Sequence, residues 1–306
     1  MGRLIATLLL TTLAVASDLP VADAATKLRV VATIPDLKSL TEAVGGDLVE
    51  VDSLTRATQN PHDLEVRPSL MVKLRRAHAL IVNGLELDGW AEPVLRGANN
   101  PAVVPGAPGF IDASRGVPVI EAPTTPVDRS MGDVHPLGNP HYTLDPGLAP
   151  VVTQTILEGL ARLAPEHRAT MDRQREQFLA RLQAAITRWQ AALAPVREAR
   201  LVPYHNNLGY FLKRFGLTQL GTIEDRPGIP PSPAHLARLV RQMKDARTRV
   251  IVLVEPWSDG KLAQRVAEEA GATVAVVNAR PARSSGTEAY LDSMEANVTA
   301  LVQAAR

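Results

Sequence analysis

A two-lobed α/β protein is the fold this sequence predicts, and three observations carry that reading. Short aliphatic runs alternate with helix-like stretches over residues 28–96, and again over 201–304. A single long amphipathic stretch, 165–194, separates the two alternating halves. The chain has 306 residues, which favours two lobes over one core. The expected plan is a signal peptide over 1–24, an N-terminal α/β lobe over 25–164, a connecting helix over 165–194 and a C-terminal α/β lobe over 195–306. Each lobe should hold a mainly parallel sheet flanked by helices, because strand–helix alternation implies right-handed crossovers.

The start of the chain reads as a secretory signal. Arg3 supplies positive charge, and Leu4 to Ala16 is an apolar run too short to span a bilayer comfortably. Ala22-Asp23-Ala24 fits a small-x-small cleavage site. Leu28 to Thr33 then reads as a strand, followed by a helix over Asp36–Val44 that Gly45-Gly46 closes. Leu48 to Val51 is a second strand. Residues 55–65 have no apolar period and carry His62. A helix starts at Pro68, Ala79–Val82 is a buried strand, and Leu85–Arg96 reads as a helix.

Residues 99–140 break the rhythm with prolines and glycines. Val103-Val104 and Val117-Pro118-Val119 are the strand candidates there, and 122–138 reads as a mobile loop holding Asp128, Asp133 and His135. Leu148–Leu163 is a helix. In the long stretch that follows, Met171, Phe178, Leu182, Ile186, Trp189 and Leu193 recur at helical spacing, which predicts one stiff helix.

The second half repeats the pattern. Leu201–Pro203 is a strand ending at His205, and Asn207–Phe215 a helix. Thr218–Thr222 is a strand, and Ser232 caps a helix over Pro233–Asp245. Val250–Val254 is a fully buried strand ending at Glu255. A helix over Lys261–Ala270, a strand over Thr273–Val277 and a helix over Thr287–Ala304 complete the chain.

Composition removes several functions. Lys and Arg number 33 against 32 Asp and Glu with no like-charge block, so a nucleic-acid groove has no support. There is no cysteine, so disulfides and thiolate metal sites are excluded. Histidine, carboxylate or water must then supply any transition-metal site. An exported chain of this kind fits the periplasm.

Three of the seven histidines sit in constrained settings. His141 lies in Gly138-Asn139-Pro140-His141-Tyr142-Thr143-Leu144-Asp145-Pro146, where two prolines restrict the backbone on either side. His62 lies in Asn60-Pro61-His62-Asp63, and His205 in Pro203-Tyr204-His205-Asn206-Asn207. Strand ends are where open α/β sheets collect ligands. Three neutral imidazoles plus one oxygen make an ordinary tetrahedral zinc set. His78, His167 and His235 lack partners at ligand spacing and read as surface residues. Glu224 and Asp225 either brace their loop or line the cleft.

These residues make the chain resemble the periplasmic solute-binding proteins of zinc and manganese ABC transporters. The resemblance runs from Asn60-Pro61-His62-Asp63 and Arg67-Pro68-Ser69 through Val82-Asn83-Gly84 and Gly132-Asp133-Val134-His135. It continues through Gly138-Asn139-Pro140-His141, Leu144-Asp145-Pro146 and His205-Asn206-Asn207-Leu208-Gly209-Tyr210-Phe211 to Val254-Glu255-Pro256. It implies two lobes joined by a long helix with the metal in the cleft between them. His62, His141 and His205 match the family's ligand histidines. Many members add an aspartate after the last strand, where this chain has Asn278. Glu255 is therefore the first candidate for the fourth ligand, with water second and Asp63 third. The histidine-rich loop of many zinc-specific members is reduced here to His135, read as a loop residue and not a core ligand.

The resulting expectation is a monomeric metal carrier, not an enzyme. Its cargo is Zn2+, with Mn2+ or iron as alternatives, and its partner is an ABC permease in the inner membrane. A periplasmic metallochaperone is a further candidate partner. The competing reading is an exported zinc hydrolase or hydratase, since three histidines plus water also make a catalytic site. A zinc buffer or adhesin without a permease is a third.

Overall fold

The structure, a computed structural model, describes residues 27–278 and 286–306. The expected signal peptide lies outside the described residues. Among the described residues no helix is long and apolar enough to cross a membrane.

Two four-stranded parallel sheets form the two lobes. The first contains β1 (Leu28–Ala32), β2 (Val49–Ser53), β3 (Ala79–Val82) and β4 (Phe110–Asp112) in the order β2-β1-β3-β4. Helices α1 (Pro35–Gly45), α2 (Pro68–Arg75) and α3 (Ala91–Ala98) connect them. The register pairs Val30 with Val51 on one side and with Ala79 on the other. Then α4 (Ala149–Leu163) leads into α5 (Arg168–Ala192), 25 residues long, which lies between the lobes. The second sheet contains β5 (Arg200–Pro203), β6 (Thr218–Gln219), β7 (Val250–Val254) and β8 (Thr273–Val276) in the equivalent order β6-β5-β7-β8. Its helices are α6 (Gly209–Phe215), α7 (Pro233–Asp245) and α8 (Gly260–Ala270), and α9 (Ala289–Ala304) follows β8. In each sheet the chain order reverses between two adjacent central strands, β1 and β3 or β5 and β7. The carboxyl ends of such strands open a crevice suited to ligands.

The local signals explain most boundaries. Pro68 opens α2 at its first position, and the Ser232 side chain accepts from His235 N to cap α7. Every residue of β7 is buried, as its unbroken aliphatic run requires. The predicted stripe on α5 is buried too: Met171, Phe178, Leu182, Ile186 and Trp189. It joins one continuous hydrophobic cluster that includes Val30 and Leu37 of the first lobe and Leu201, Tyr290 and Leu301 of the second. The sequence-distant α9 closes this cluster. Tyr290 OH donates to Thr143 O at 2.7 Å, and Trp189 Nε1 donates to Glu295 Oε2 at 2.6 Å.

Four expectations need correction. The helix expected over Leu85–Arg96 starts only at Ala91, because Leu85 (φ 52°) and Glu86 (φ 65°) are left-handed. The buried Asp88 carboxylate accepts from Asn83 N and Gly84 N, which folds this stretch into a turn. Pro101–Val103 is a 3-10 turn, not a strand, with Asn100 accepting from Ala102 N. Val117–Val119 is also no strand; Val117 N closes a turn on Ser114 O, and Ile120 N donates to Tyr210 OH of the other lobe. Beyond Gln219, β6 continues only as separate bonds, Leu220 N to Leu201 O and Ile223 N to Pro203 O. Strand β4 had no clear sequence signal and takes the edge beside β3.

Candidate metal centre

Each of the three constrained histidines is placed by local bonds. Trp90 Nε1 donates to Pro61 O at 2.8 Å, and His62 N donates to Asn60 Oδ1 at 3.1 Å, so the loop before α2 is tied to the N-terminal end of α3. At the end of β3, Asn83 Nδ2 donates to Pro140 O at 3.0 Å, and Tyr142 OH donates back to Asn83 O at 2.7 Å. These two bonds hold the residues on both sides of His141. His205 follows β5, where Tyr204 N donates to Leu253 O of β7 at 2.7 Å. The three side chains therefore hang on the inner sheet ends of both lobes.

One ligand-competent nitrogen from each of His62, His141 and His205 lies within 4.8 Å of the others. His62 Nε2 and His141 Nε2 are 2.9 Å apart, and the rings of His62 and His205 have centroids 5.0 Å apart. The remote nitrogens of two rings are engaged elsewhere. His141 Nδ1 is 2.8 Å from Asn139 Oδ1, and His205 Nδ1 is 2.8 Å from Glu224 Oε2. An amide oxygen and a carboxylate only accept, so both Nδ1 atoms carry the proton, which leaves Nε2 of each ring as the nitrogen available to a ligand. Asn139 is itself fixed, donating from Nδ2 to Glu121 Oε2 at 3.0 Å.

Burial sets the charge of this cluster. Desolvation holds His141 well below the usual imidazole range, and the neighbouring rings of His62, His205 and His135 add to it. His62 is held well below for the same reason, with His205 and His135 contributing. His135 is lowered to about 4 by desolvation first and by His205 second. Neutral imidazoles are the form that binds metal. Asp133 beside the cleft is raised by burial and by the charges of Glu224 and Asp63, against a lowering by His205.

Glu255, expected as fourth ligand, is not brought into the three-histidine group. It is buried, its Oε1 accepts from Asn207 Nδ2 at 2.7 Å, and its Oε2 accepts from Ser258 Oγ at 2.9 Å. Asn278 is left-handed (φ 57°), its N donates to Asn297 Oδ1, and it lines a small cleft of about 80 Å³ together with His141 and Asn207. Asp63 is exposed. His78, His167 and His235 stand outside the cluster, as expected, but each is half-buried. His78 Nδ1 accepts from Arg29 N at 3.0 Å, and His235 Nε2 pairs with Thr222 O at 2.9 Å. Of the two readings of Glu224, the geometry gives it a direct contact with His205. Its position in a proline-rich loop offered no periodic signal.

The family model for the zinc-uptake complex component A, periplasmic, matches residues 30–304. The chain belongs to that family. Among its relatives, the iron-binding protein YfeA of Yersinia pestis is 26% identical over 271 residues, covering 86% of this chain and 80% of YfeA. The zinc-binding lipoprotein AdcA of Streptococcus pneumoniae (strain TIGR4) is 25% identical over 90% of this chain, which spans 56% of AdcA. A crystal structure of ZnuA superposes with TM-score 0.75 at 24% identity, covering 92% of this chain and all of that one. That likeness supports the two-lobed fold. The periplasmic zinc-uptake family is one of metal-binding solute-binding proteins, and the three-histidine cluster is in keeping with it.

Proposed function

We propose that the protein is a periplasmic carrier that binds one divalent cation, zinc before manganese or iron, and delivers it to an ABC permease in the inner membrane. One observation carries the reading: His62, His141 and His205 present nitrogens within 4.8 Å of one another, on loops from both lobes. Three neutral imidazoles suit zinc better than manganese, which favours more oxygen ligands. With Glu255 tied to Asn207 and Ser258, the fourth position falls to water. Membership of a zinc-uptake family supports transport over hydrolysis.

The test is native mass spectrometry with elemental analysis of protein purified from the periplasm. One zinc per chain is expected, lost on His62→Ala, His141→Ala or His205→Ala and kept on His78→Ala. Replacing a ligand should cost on the order of 100-fold or more in affinity, beyond the usual effect of an outer partner. Stoichiometric manganese or iron in place of zinc would overturn the choice of metal. Equal effects at all four histidines would overturn the site.

A further inference from the structure

Two of the three converging imidazoles have their remote nitrogen held by an oxygen acceptor, Asn139 for His141 and Glu224 for His205. His62 has neither an amide nor a carboxylate at that place. What faces its Nδ1 is His135 Nε2, at 3.3 Å, with the ring centroids 5.1 Å apart. His135 is not one of the three that share a centre.

We propose that His135 is the positioning residue of His62, completing a set in which every metal-facing imidazole is aimed through its far nitrogen. In this arrangement His62 Nδ1–H donates to the unprotonated Nε2 of His135. The His62 Nε2 lone pair is then turned toward His141 Nε2, 2.9 Å away. Such outer contacts fix tautomer and ring orientation and raise ligand basicity. This inference rests on the reading of the three histidines as metal ligands.

The segment carrying His135 is docked in a way that serves this role. Asp133 N donates to Pro227 O at 2.8 Å, and Arg226 Nη1 donates to Ser130 O at 3.0 Å. Gly132 (φ 79°) allows the close approach, since a Cβ there would lie 2.1 Å from Pro227 O. The turn is closed by Gly138 N donating to His135 O at 3.0 Å. The receiving strip, 226–228, is also the strip whose Gly228 N donates to Glu224 Oε2 at 2.8 Å. One loop–loop contact thus supports the outer partner of a first-lobe imidazole and that of a second-lobe imidazole together.

The experiment titrates zinc into metal-free full-length chain against a competing chelator and counts imidazoles by zinc X-ray absorption. His135→Ala should weaken binding about 10- to 100-fold, while His135→Gln, whose side-chain oxygen reaches the same place, should stay within roughly threefold of the parent. Parent and His135→Ala should both show three imidazoles per zinc. Parent-like affinity in His135→Ala overturns the proposal. So does a His135→Gln as weak as His135→Ala, or a fourth imidazole in the parent that vanishes in His135→Ala, which makes the residue a ligand. If His62→Ala also binds like the parent, the three-histidine reading fails, and this inference falls with it by a distinguishable result.

Discussion

His205 Nδ1 donates to Glu224 Oε2 over 2.8 Å, and the same oxygen accepts from Gly228 N at 2.8 Å. Both side chains are shielded, with 11% and 14% of their surface exposed, so water competes weakly for the contact. The carboxylate is thereby fixed on two sides, and the imidazole has one preferred orientation.

Removing this carboxylate should free the ring. Glu224→Ala is expected to lower zinc affinity about 10- to 100-fold, and Glu224→Gln less, because its amide oxygen can still accept. Chelator competition measures both. An Ala variant that binds as tightly as the parent would show that His205 is oriented by its backbone alone.

The metal-free protein should lose stability in mild acid. In the fold, burial keeps His62 and His141 well below 6.5 and brings His135 to about 4. The unfolded chain, titrating near 6.5, therefore binds more protons than the folded one in this window. Stability from these groups is complete above pH 6.5 and declines as pH falls toward 4. Glu255 acts in the opposite sense: burial raises it above 4.5, so its contribution declines as pH rises from 4.5 through its folded value. The histidine part is isolated by comparing His141→Gln with the parent. The melting temperature of the variant should depend less on pH between 4 and 6.5; an equal or steeper dependence would refute the assignment.

Glu255 and Asn278 should respond differently to substitution. Glu255→Gln can still accept from Asn207 Nδ2 and can donate its amide N–H to Ser258 Oγ, so the expected change is no more than about 1 kcal/mol in stability with zinc affinity near the parent's. Asn278→Asp places a carboxylate in the cleft that His141 also lines, on a left-handed backbone that aspartate tolerates. Its zinc affinity should rise roughly tenfold, about 1.4 kcal/mol. Isothermal titration separates the cases, and a large affinity loss in Glu255→Gln alone would return that glutamate to the metal.

Zinc should change the outline of the molecule little. α5 is buried along Phe178, Leu182 and Trp189 in a cluster common to both lobes, which leaves no bare hinge. Solution scattering with and without zinc should give radii of gyration within about 1 Å, since packed cores resist continuous deformation. A contraction of several ångströms would count against this.

Periodicity made most of the fold legible. The aliphatic run of β7, the Ser232 cap and the stripe on α5 each have one physical solution, and the structure adopts it. The proline-bounded and strand-end histidines were legible for a different reason: rigid backbone around a ligand-type side chain stands out without any contact map. What the sequence did not show depended on distant partners. Leu85 and Glu86 look helical until the Asp88 carboxylate captures Asn83 N and Gly84 N. His135 stands in a segment with no period, and its place against His62 is set by docking onto 226–228, where the Arg226–Ser130 bond spans 96 positions. Glu255 was read from its position at a strand end; its bonds to Asn207 and Ser258 become visible only in the fold.

The bond from Tyr290 N to Ser39 Oγ joins residues 251 positions apart. The cluster that includes α1 is therefore unfinished until α9 has emerged from the ribosome. A nascent chain stopped anywhere before it would expose part of the apolar lining around Leu37 and Phe178. Such long-range closure is slow because its loop entropy must be overcome before its contacts form. The last helix of the chain is thus the piece that completes the apolar surround of one of its first.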